Sequence, residues 1–422
     1  MKLAFVTQPG FAVQPPSGSL EIWTWEVARR LARRHDVTIY ASRTAATEEA
    51  TVEGVRYRFL SHGADVALAR IARPAWRLLP ADRPFFASTL YPLGYWARAG
   101  LELRRERFDA AHVFNYSQAL PVLGRLAPRT RLVLHMQCEW LAQLSERMLR
   151  GRLARADSIL GCSHAVTAKG RSRFPALAER FHTVFNGVDL EAVAGGGAPG
   201  RGAHRLLYVG RISPEKGLHV LVDAFAELAA TRPELTLRLV GEEAVVPLEM
   251  IVELADDPRV QALRQFYAGS YSEALMARLP PELRQRVSLA GQLSYEAVAA
   301  CYRTADVFVL PSLMEAFGMP LAEALAAGVP AVASRTGGIV DIVDDGATGL
   351  LVEPGDTRAL GAAIGRLLDD RELRVVLAAA GREKARSTFG WDAIADAFED
   401  RLEAGGRGGA RSATGGEIRA TT

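Results

Sequence analysis

The chain has 422 residues, of which 49% are hydrophobic and 23% charged, and its formal net charge is +3. This is the composition of a soluble globular protein, and the length exceeds what one hydrophobic core usually holds, so it predicts two domains. The three cysteines, Cys138, Cys162 and Cys301, lie far apart without metal-ligand spacing. They imply no zinc site and indicate reduced thiols in a cytoplasmic protein.

Charge is distributed unevenly along the chain. Residues 1–190 carry 27 Lys and Arg against 16 Asp and Glu, whereas the remainder carries 24 against 32. The basic first half predicts contact with an anionic membrane, at its inner face, or with an anionic acceptor. An ordinary Arg-rich surface is the alternative. Nucleic acid is not favoured, because the sequence has no recognisable binding motif and no isolated basic arm.

In the first half, short apolar runs alternate with helical patterns, which is typical of an α/β fold. The run at residues 3–7 is too short for a signal peptide or a membrane span and is predicted to be the first strand. A helix predicted at 19–34 and a strand at 37–40 complete a βαβ opening. Later strands of the same sheet are predicted at 110–114 and 132–134.

The second half begins with a flexible, glycine-rich linker at 194–200. A second α/β series starts at residues 206–209. The connection 243–286 is longer than usual and is interpreted as an insertion that bears on acceptor choice or oligomerisation. The predicted organisation is a domain at 1–192, a domain at 193–388, a C-terminal helix at 389–404 and a disordered tail at 405–422.

One segment of the second series combines a strand end, a glycine loop and a helix start. The run 306–310 is short, apolar and β-branched, as in a strand covered on both faces. The loop 315–319 follows, and Pro320 then favours the start of a helix at 321–327, which Gly328 ends. Unpaired N–H groups and the dipole at such a helix start bind phosphate oxygens. The segment therefore predicts an anion site.

Two carboxylates, Glu315 and Glu323, belong to this segment, with Glu323 expected in the first helical turn. A glycosidase pair needs carboxyl groups about 5–9.5 Å apart across one bond, and the spacing here does not by itself favour that arrangement. We expect each carboxylate to accept hydrogen bonds from sugar hydroxyls at a different point of one elongated ligand. The alternative is that Glu323 complements the helix dipole and Glu315 is a solvated loop residue.

The segment 315–323, EAFGMPLAE, resembles the E-x7-E signature of the retaining family 4 glycosyltransferases. Four further segments agree with that family in order and spacing: FNGVD at 185–189, YVGR with PEKG at 208–217, LVGE at 239–242 and TADV at 304–307. The resemblance implies the GT-B fold, an α/β architecture of two Rossmann-like β/α/β domains that face each other across a cleft. It assigns the acceptor mainly to the first domain and the nucleotide-sugar donor to the second, with the C-terminal helix crossing back.

The resemblance also implies roles for residues of the second domain. Arg211 and Lys216 match a basic pair that would neutralise the donor diphosphate, because a leaving phosphate needs cationic stabilisation. Glu323 would hold the ribose hydroxyls, and Glu315 would act at the reaction centre by binding the hydroxyls of the transferred sugar. Backbone N–H groups would cradle sugar and phosphate, namely those of Phe317, Gly318 and Met319.

In the first domain, His135 lies at a predicted strand end, and its position resembles that of the family histidine beside the reacting sugar carbon. A structural histidine after an apolar run is the alternative. His112 and Asn115 lie at another strand end and are candidates for the acceptor pocket. Gly18 matches the first glycine of a phosphate-binding loop, but Ser19 occupies the position where many relatives have a second glycine.

The implied function is transfer of a sugar from a nucleoside diphosphate sugar to a hydroxyl, with retention of configuration and without an obligate metal or other cofactor. Acceptors in cell-surface polysaccharide or glycolipid synthesis and in natural-product synthesis both remain open. A non-catalytic sugar-nucleotide-binding protein is one alternative. A Rossmann-type NAD-dependent enzyme is another, although the loop at 8–19 lacks G-x-G-x-x-G.

Overall fold

The structure, a computed structural model, consists of two α/β units, each built on its own sheet. The predicted fold class is confirmed. The structure describes residues 1–9, 18–42, 49–76, 80–194 and 204–407, without the side chains of 73–76 and 405–407. The predicted linker therefore lies mostly outside the described residues.

The N-terminal unit contains an eight-stranded sheet in the part of the chain described. Its strands are β1 (Lys2–Val6), β2 (Asp36–Ser42), β3 (Glu49–Val52), β4 (Val55–Leu60), β5 (Ala110–Phe114), β6 (Arg131–Met136), β7 (Ser158–Gly161) and β8 (Phe181–Thr183). Their order is β3-β4-β2-β1-β5-β6-β7-β8, and the pairs are parallel except for β3 with β4 at one edge. The central strands are buried on both faces, which accounts for their continuous apolar sequences.

Helices cover both faces of this sheet. They are α1 (Ser19–Leu31), α2 (Gly63–Trp76), α3 (Leu93–Glu106), α4 (Ala119–Leu126), α5 (Trp140–Gln143), α6 (Glu146–Leu153) and α7 (His164–Arg173). The helix α1 begins where predicted and ends three residues early. Ser163 caps α7, because its side chain accepts a hydrogen bond from the backbone N–H of Val166.

The C-terminal unit contains six parallel strands among the described residues. They are β9 (Arg205–Val209), β10 (Thr236–Val240), β11 (Val287–Leu289), β12 (Val307–Leu310), β13 (Ala331–Ser334) and β14 (Leu350–Val352). The order β11-β10-β9-β12-β13-β14 is the doubly wound arrangement, in which the strand order reverses between β9 and β12. Ligands of such sheets bind at this reversal, outside the carboxyl ends of the strands.

Helices connect and follow these strands. They are α8 (Leu218–Ala229), α9 (Pro258–Gln261), α10 (Tyr271–Ala277), α11 (Pro281–Arg284), α12 (Tyr295–Thr304), α13 (Met319–Ala327), α14 (Ile339–Ile342), α15 (Thr357–Asp369), α16 (Arg371–Thr388) and α17 (Trp391–Arg407). Asp356 and Asp370 cap α15 and α16 by accepting backbone hydrogen bonds, so each helix start is encoded locally.

The last helix, α17, packs on the N-terminal unit. Asp392 pairs with Arg30 of α1 at 2.6 Å, and Glu399 Oε1 lies 2.6 Å from His35 Nε2. Phe398 of α17 packs on the Trp23 ring with centroids 5.3 Å apart. The helix continues to Arg407, three residues into the stretch expected to be a disordered tail, and residues 408–422 lie outside the described part. No described helix is long and apolar enough to cross a lipid bilayer.

Candidate functional site

The candidate site lies where the strand order of the C-terminal sheet reverses. After β9, the chain makes a 3₁₀ turn at Pro214–Lys216, and after β12 it enters the loop that leads to Glu315. The two segments are joined because the backbone N–H groups of Leu313 and Met314 donate to the Glu215 carbonyl at 2.9 and 3.4 Å. The strand reversal thus brings two motifs together that are about a hundred residues apart in sequence.

An ion pair between Lys216 and Glu315 forms the centre of this junction. Lys216 Nζ lies 2.7 Å from Glu315 Oε2, and the two side chains are only 16% and 11% exposed. Ser312 donates a further hydrogen bond to the same Glu315 oxygen at 3.2 Å. The family resemblance assigns Lys216 to the donor diphosphate and Glu315 to the transferred sugar. The two side chains are direct neighbours in the structure.

The second predicted cation, Arg211, lies at the rim of the same junction. Its Nη2 donates to Glu215 Oε1 at 2.9 Å, and its Nη1 donates to the Ala244 carbonyl at 2.9 Å. Glu215 is buried and also accepts a hydrogen bond from the Ser213 hydroxyl. Because the Arg211 side chain is 42% exposed, its remaining N–H groups are accessible to an anion.

The helix α13 begins directly behind the ion pair. Gly318 caps it with φ = 105°, a left-handed conformation that favours glycine, and the helix starts at Met319. The backbone N–H groups of Phe317, Gly318 and Met319 donate to no other described residue. Backbone N–H groups without an acceptor in the described part therefore lie at this helix start, next to the Lys216–Glu315 pair.

Glu323 lies deeper in α13 than expected. The helix starts two residues before the predicted position, so Glu323 is its fifth residue, and the prediction that it belongs to the first turn is wrong. Only 7% of Glu323 is exposed, and the Tyr302 hydroxyl donates to its Oε2 at 2.8 Å. Burial raises the pKa of Glu323 to about 7, against the opposing hydrogen bond from Tyr302.

His135, the penultimate residue of β6, is part of a buried polar network. Its Nε2 lies 3.2 Å from Gln137 Nε2. Its Nδ1 lies 3.2 Å from His112 Nε2, so the two rings are hydrogen-bonding neighbours. Gln137 in turn exchanges two hydrogen bonds of 2.8 Å with Asn186 of the FNGVD segment.

Burial keeps both histidines neutral. His135 has no exposed surface, and desolvation lowers its pKa to about 3. His112 is 3% exposed, and burial lowers its pKa well below the usual value. Their rings pack against Trp23, Phe114 and, for His112, Phe398. The structure therefore places neither ring on an open surface, and Gln137 covers the outer nitrogen of His135.

Asn115 and Gly18 lie at the edge of the same region. Asn115 has φ = 53° and its side-chain oxygen accepts from the Gln137 N–H at 2.6 Å, so it shapes the turn after β5. Gly18 precedes α1, and a Cβ there would lie 2.3 Å from Glu21 Oε2. Ser19 is exposed at the start of α1. Residues 10–17 of this loop lie outside the described part.

The two units touch next to the candidate site. Cys162 Sγ lies 3.5 Å from the Ala316 carbonyl, and the rings of Phe185 and Phe317 have centroids 5.9 Å apart. Asp341 accepts a hydrogen bond of 2.8 Å from the backbone N–H of His164 at the start of α7. The loop that carries Glu315 therefore faces the carboxyl ends of the N-terminal strands.

Sequence reasoning missed several residues of this arrangement. No role was predicted for Tyr302, for Gln137 or for the pair formed by His164 and Asp341. Their partners come from distant elements, which a local sequence pattern cannot predict. Asn186 belongs to the FNGVD segment, which was recognised in the sequence, but no role was predicted for this residue. Within the described ranges, no group of three or more His, Cys, Asp or Glu side chains could hold a metal ion.

Comparison with known proteins identifies the family. The profile described as "Glycosyl transferases group 1" matches residues 200–384, and that described as "Glycosyltransferase Family 4" matches residues 20–192. The chain belongs to glycosyltransferase family 4. Together the two matches include every segment on which the sequence resemblance depends.

Individual relatives agree with this family 4 assignment. The chain is 32% identical to glycogen synthase of Mycobacterium tuberculosis. The match covers 60% of this chain and 55% of that relative. It is 28% identical to the D-inositol 3-phosphate glycosyltransferase of Thermobispora bispora, covering 94% of this chain and 92% of the relative. The crystal structure of the Anabaena protein HepE in complex with UDP-glucose superposes with a TM-score of 0.68 at 21% identity, covering 96% of this chain and all of that one. The fold is therefore GT-B.

Proposed function

We propose that this protein transfers a sugar from a nucleoside diphosphate sugar to a hydroxyl group, with retention of the anomeric configuration. The observation that carries the proposal is the Lys216–Glu315 pair, which lies beside the free N–H groups of the α13 start at the reversal of the C-terminal sheet. HepE, a structure of the same fold, is described in complex with UDP-glucose, which supports a nucleotide sugar as donor.

In this proposal, positive charge holds the diphosphate. Lys216, the exposed N–H groups of Arg211 and the backbone N–H groups at 317–319 would together hold the diphosphate outside the carboxyl ends of β9 and β12. Such donors act most strongly where charge develops, which here is the leaving nucleoside diphosphate. The departing phosphate, in turn, accepts the proton of the attacking hydroxyl on the same face of the sugar.

The two glutamates hold the ends of the donor. Glu323 lies inside α13, where its carboxylate would accept from the ribose hydroxyls. Glu315 lies in the loop, where it would accept from hydroxyls of the transferred sugar while Lys216 fixes its orientation. Because Glu315 is already paired with a cation, we assign it to sugar binding at the reaction centre and not to nucleophilic attack.

We assign to His135 a place behind the reacting carbon. The pair formed by Gln137 and Asn186 would face the cleft from the N-terminal unit, with the buried, neutral His135 ring behind it. Asn115 would lie on the acceptor side through its hydrogen bond to Gln137, whereas His112 would act by holding the His135 ring in place. His135 can contact a ligand only after the Gln137 side chain moves.

The test of this function is thermal stabilisation and calorimetric binding with a panel of UDP-, GDP-, ADP- and TDP-sugars and NAD. Stabilisation by one nucleotide class, abolished in Glu323→Ala, supports the donor site and identifies the base. Stabilisation by NAD alone, or by nothing, would overturn the proposal.

We expect the reaction to need no divalent cation, because Arg211, Lys216 and the α13 start supply the positive charge that a metal would otherwise provide. Transfer measured after exhaustive dialysis against EDTA should equal that of the untreated protein. A loss of activity that added Mg²⁺ or Mn²⁺ restores would show that a metal completes the diphosphate site.

We propose further that the N-terminal unit contacts an anionic membrane peripherally, on its cytoplasmic face. The helix α2 directs apolar side chains outward, with Ile71 80% and Leu68 42% exposed, while Asp65 on its inner face accepts from the Gly94 N–H at 2.6 Å. An apolar helix face on a basic unit fits the interface of an anionic bilayer.

The membrane proposal predicts that the double variant Leu68→Ser/Ile71→Ser sediments several-fold less with phosphatidylglycerol vesicles. The two apolar side chains would no longer be there to enter the bilayer interface. The matched control is Val376→Ser, which removes a 57% exposed valine from α16 in the other unit. Equal sedimentation of both variants and the wild type, or equal binding to neutral phosphatidylcholine, would contradict the proposal.

A further inference from the structure

The chain between β10 and β11 leaves the C-terminal sheet and returns as a closed excursion, residues 244–269. Glu243 joins its two ends, since Oε1 accepts from the Tyr271 N–H at 2.6 Å and Oε2 from the Ser272 N–H at 3.1 Å and the Ser270 hydroxyl at 2.9 Å. Burial raises the pKa of Glu243, but these hydrogen bonds outweigh it and hold the pKa below its usual value. The clamp is therefore ionised at neutral pH.

The excursion has an apolar cluster of its own, separate from the main core, that includes part of the candidate site. Val252, Val260 and Leu263 of the excursion pack there with Leu313, two residues before Glu315. Arg259 also donates to the Pro354 carbonyl at 3.0 Å, beyond β14. The excursion is thus fastened to the loop that positions Glu315 and does not project freely into solvent.

The end of the excursion lies against the cationic side of the site. The 3₁₀ turn Ala262–Tyr267 packs on the turn Pro214–Lys216. The Phe266 ring lies 4.8 Å from that of His219 at the start of α8. Arg211 Nη1 donates a hydrogen bond to the carbonyl of Ala244, the first residue of the excursion. Both ends of the excursion therefore meet the residues assigned to the diphosphate.

Tyr267 is the polar residue at this contact. Its hydroxyl oxygen is buried and has no hydrogen-bond partner among the described residues. Burial, with the nearby charge of Glu215, raises the pKa of Tyr267 to about 12, so the hydroxyl remains a donor at physiological pH. A buried hydroxyl without a partner is unfavourable, so a ligand that supplies an acceptor here would gain a hydrogen bond at no cost to the protein.

We propose that Tyr267 is a ligand-binding residue whose hydroxyl donates a hydrogen bond to a phosphoryl oxygen of the nucleoside diphosphate, and that the excursion 244–269 forms the wall of the phosphate subsite. The inference rests on the proposed function. A phosphoryl oxygen fits because it only accepts hydrogen bonds and carries negative charge, so one group satisfies both the Tyr267 hydroxyl and the exposed N–H groups of Arg211.

The test is Tyr267→Phe, which removes only the hydroxyl, measured by calorimetry with UDP, UMP, uridine and inorganic phosphate. If another base binds the wild type more tightly, the corresponding nucleotides are used. We expect the dissociation constant for the diphosphate to rise about tenfold, as for loss of a hydrogen bond to a charged group. Uridine binding should not change, and the melting temperature of the free protein should not fall, because the variant removes a hydroxyl that has no partner among the described residues.

Tyr271→Phe is the matched control. The Tyr271 hydroxyl lies 2.8 Å from His219 Nδ1 and accepts from the His219 backbone N–H at 3.1 Å, so it already has partners inside the protein. This variant should lower the melting temperature and leave nucleotide affinity unchanged.

The outcomes separate the two proposals. If no nucleotide binds the wild type, the proposed function fails. If UDP binds the wild type and Glu323→Ala weakens it while Tyr267→Phe does not, the function stands and the role of Tyr267 is overturned. If Tyr267→Phe weakens inorganic phosphate and leaves UDP unaffected, the subsite is one for free phosphate and the inference is likewise overturned.

Discussion

Replacing Lys216 by alanine is expected to lower kcat for sugar transfer by about 10²–10³, because removal of one preorganised donor from developing negative charge has effects of this size. The variant also leaves Glu315 without the cation that lies 2.7 Å from it, so the carboxylate loses its fixed orientation. The measurement is steady-state release of nucleoside diphosphate, with the folded state checked by melting temperature.

Lys384→Ala is the matched control for this prediction. Lys384 is in the same unit, is 20% exposed against 16% for Lys216, and forms a similar ion pair, with Asp344 at 2.9 Å. Its removal should leave kcat within about twofold, because surface ion pairs contribute little. If both variants lose activity equally, Lys216 acts through stability and the proposed charge stabilisation is wrong.

Donor affinity is expected to increase as the pH rises from 6 to 8. The pKa of Glu323 is about 7 in the free protein, so most molecules carry a protonated carboxyl at pH 6. Ribose hydroxyls donate to the carboxylate form, and binding must therefore first remove that proton. The dissociation constant should fall about tenfold over this range, since one pKa unit corresponds to tenfold in an equilibrium constant.

The Glu323→Gln variant should bind more weakly at every pH and show a flat profile. A nucleotide sugar is the suitable ligand, because its diphosphate is esterified at both ends and does not itself titrate near neutrality. Glu296→Gln makes the same chemical change on the exposed first turn of α12 and should retain the wild-type pH profile. A pH dependence that persists in Glu323→Gln would assign the titration to another group.

The sequence predicted the scaffold of the site because that information is local. The apolar run of β12 and the glycine before α13 each reflect backbone requirements within a few residues, whereas the roles of Glu315 and Glu323 came from the family resemblance. The start of α13 was misplaced because Pro320 is acceptable at either of the first two helical positions, and Gly318, with its left-handed conformation, allowed the earlier one.

The partners of the site residues could not be predicted, because they come from distant elements. Glu315 finds Lys216 through the alignment of β9 with β12, and Tyr302 reaches Glu323 because α12 and α13 pack together. The spacing of these residues in the sequence predicts neither contact. The burial of His135 behind Gln137 has the same origin, since a strand-end histidine in the sequence is compatible with an open or a closed position.

Transfer with retention is tested most directly by the configuration of the product. The protein is given the α-configured nucleotide sugar that binds it most tightly, with concentrated methanol as a small hydroxyl acceptor, and the methyl glycoside is examined by proton NMR. We expect release of nucleoside diphosphate and an α-methyl glycoside, which cannot mutarotate afterwards. A β-methyl glycoside would contradict retention, and bound donor without any release of nucleoside diphosphate would contradict the transferase itself.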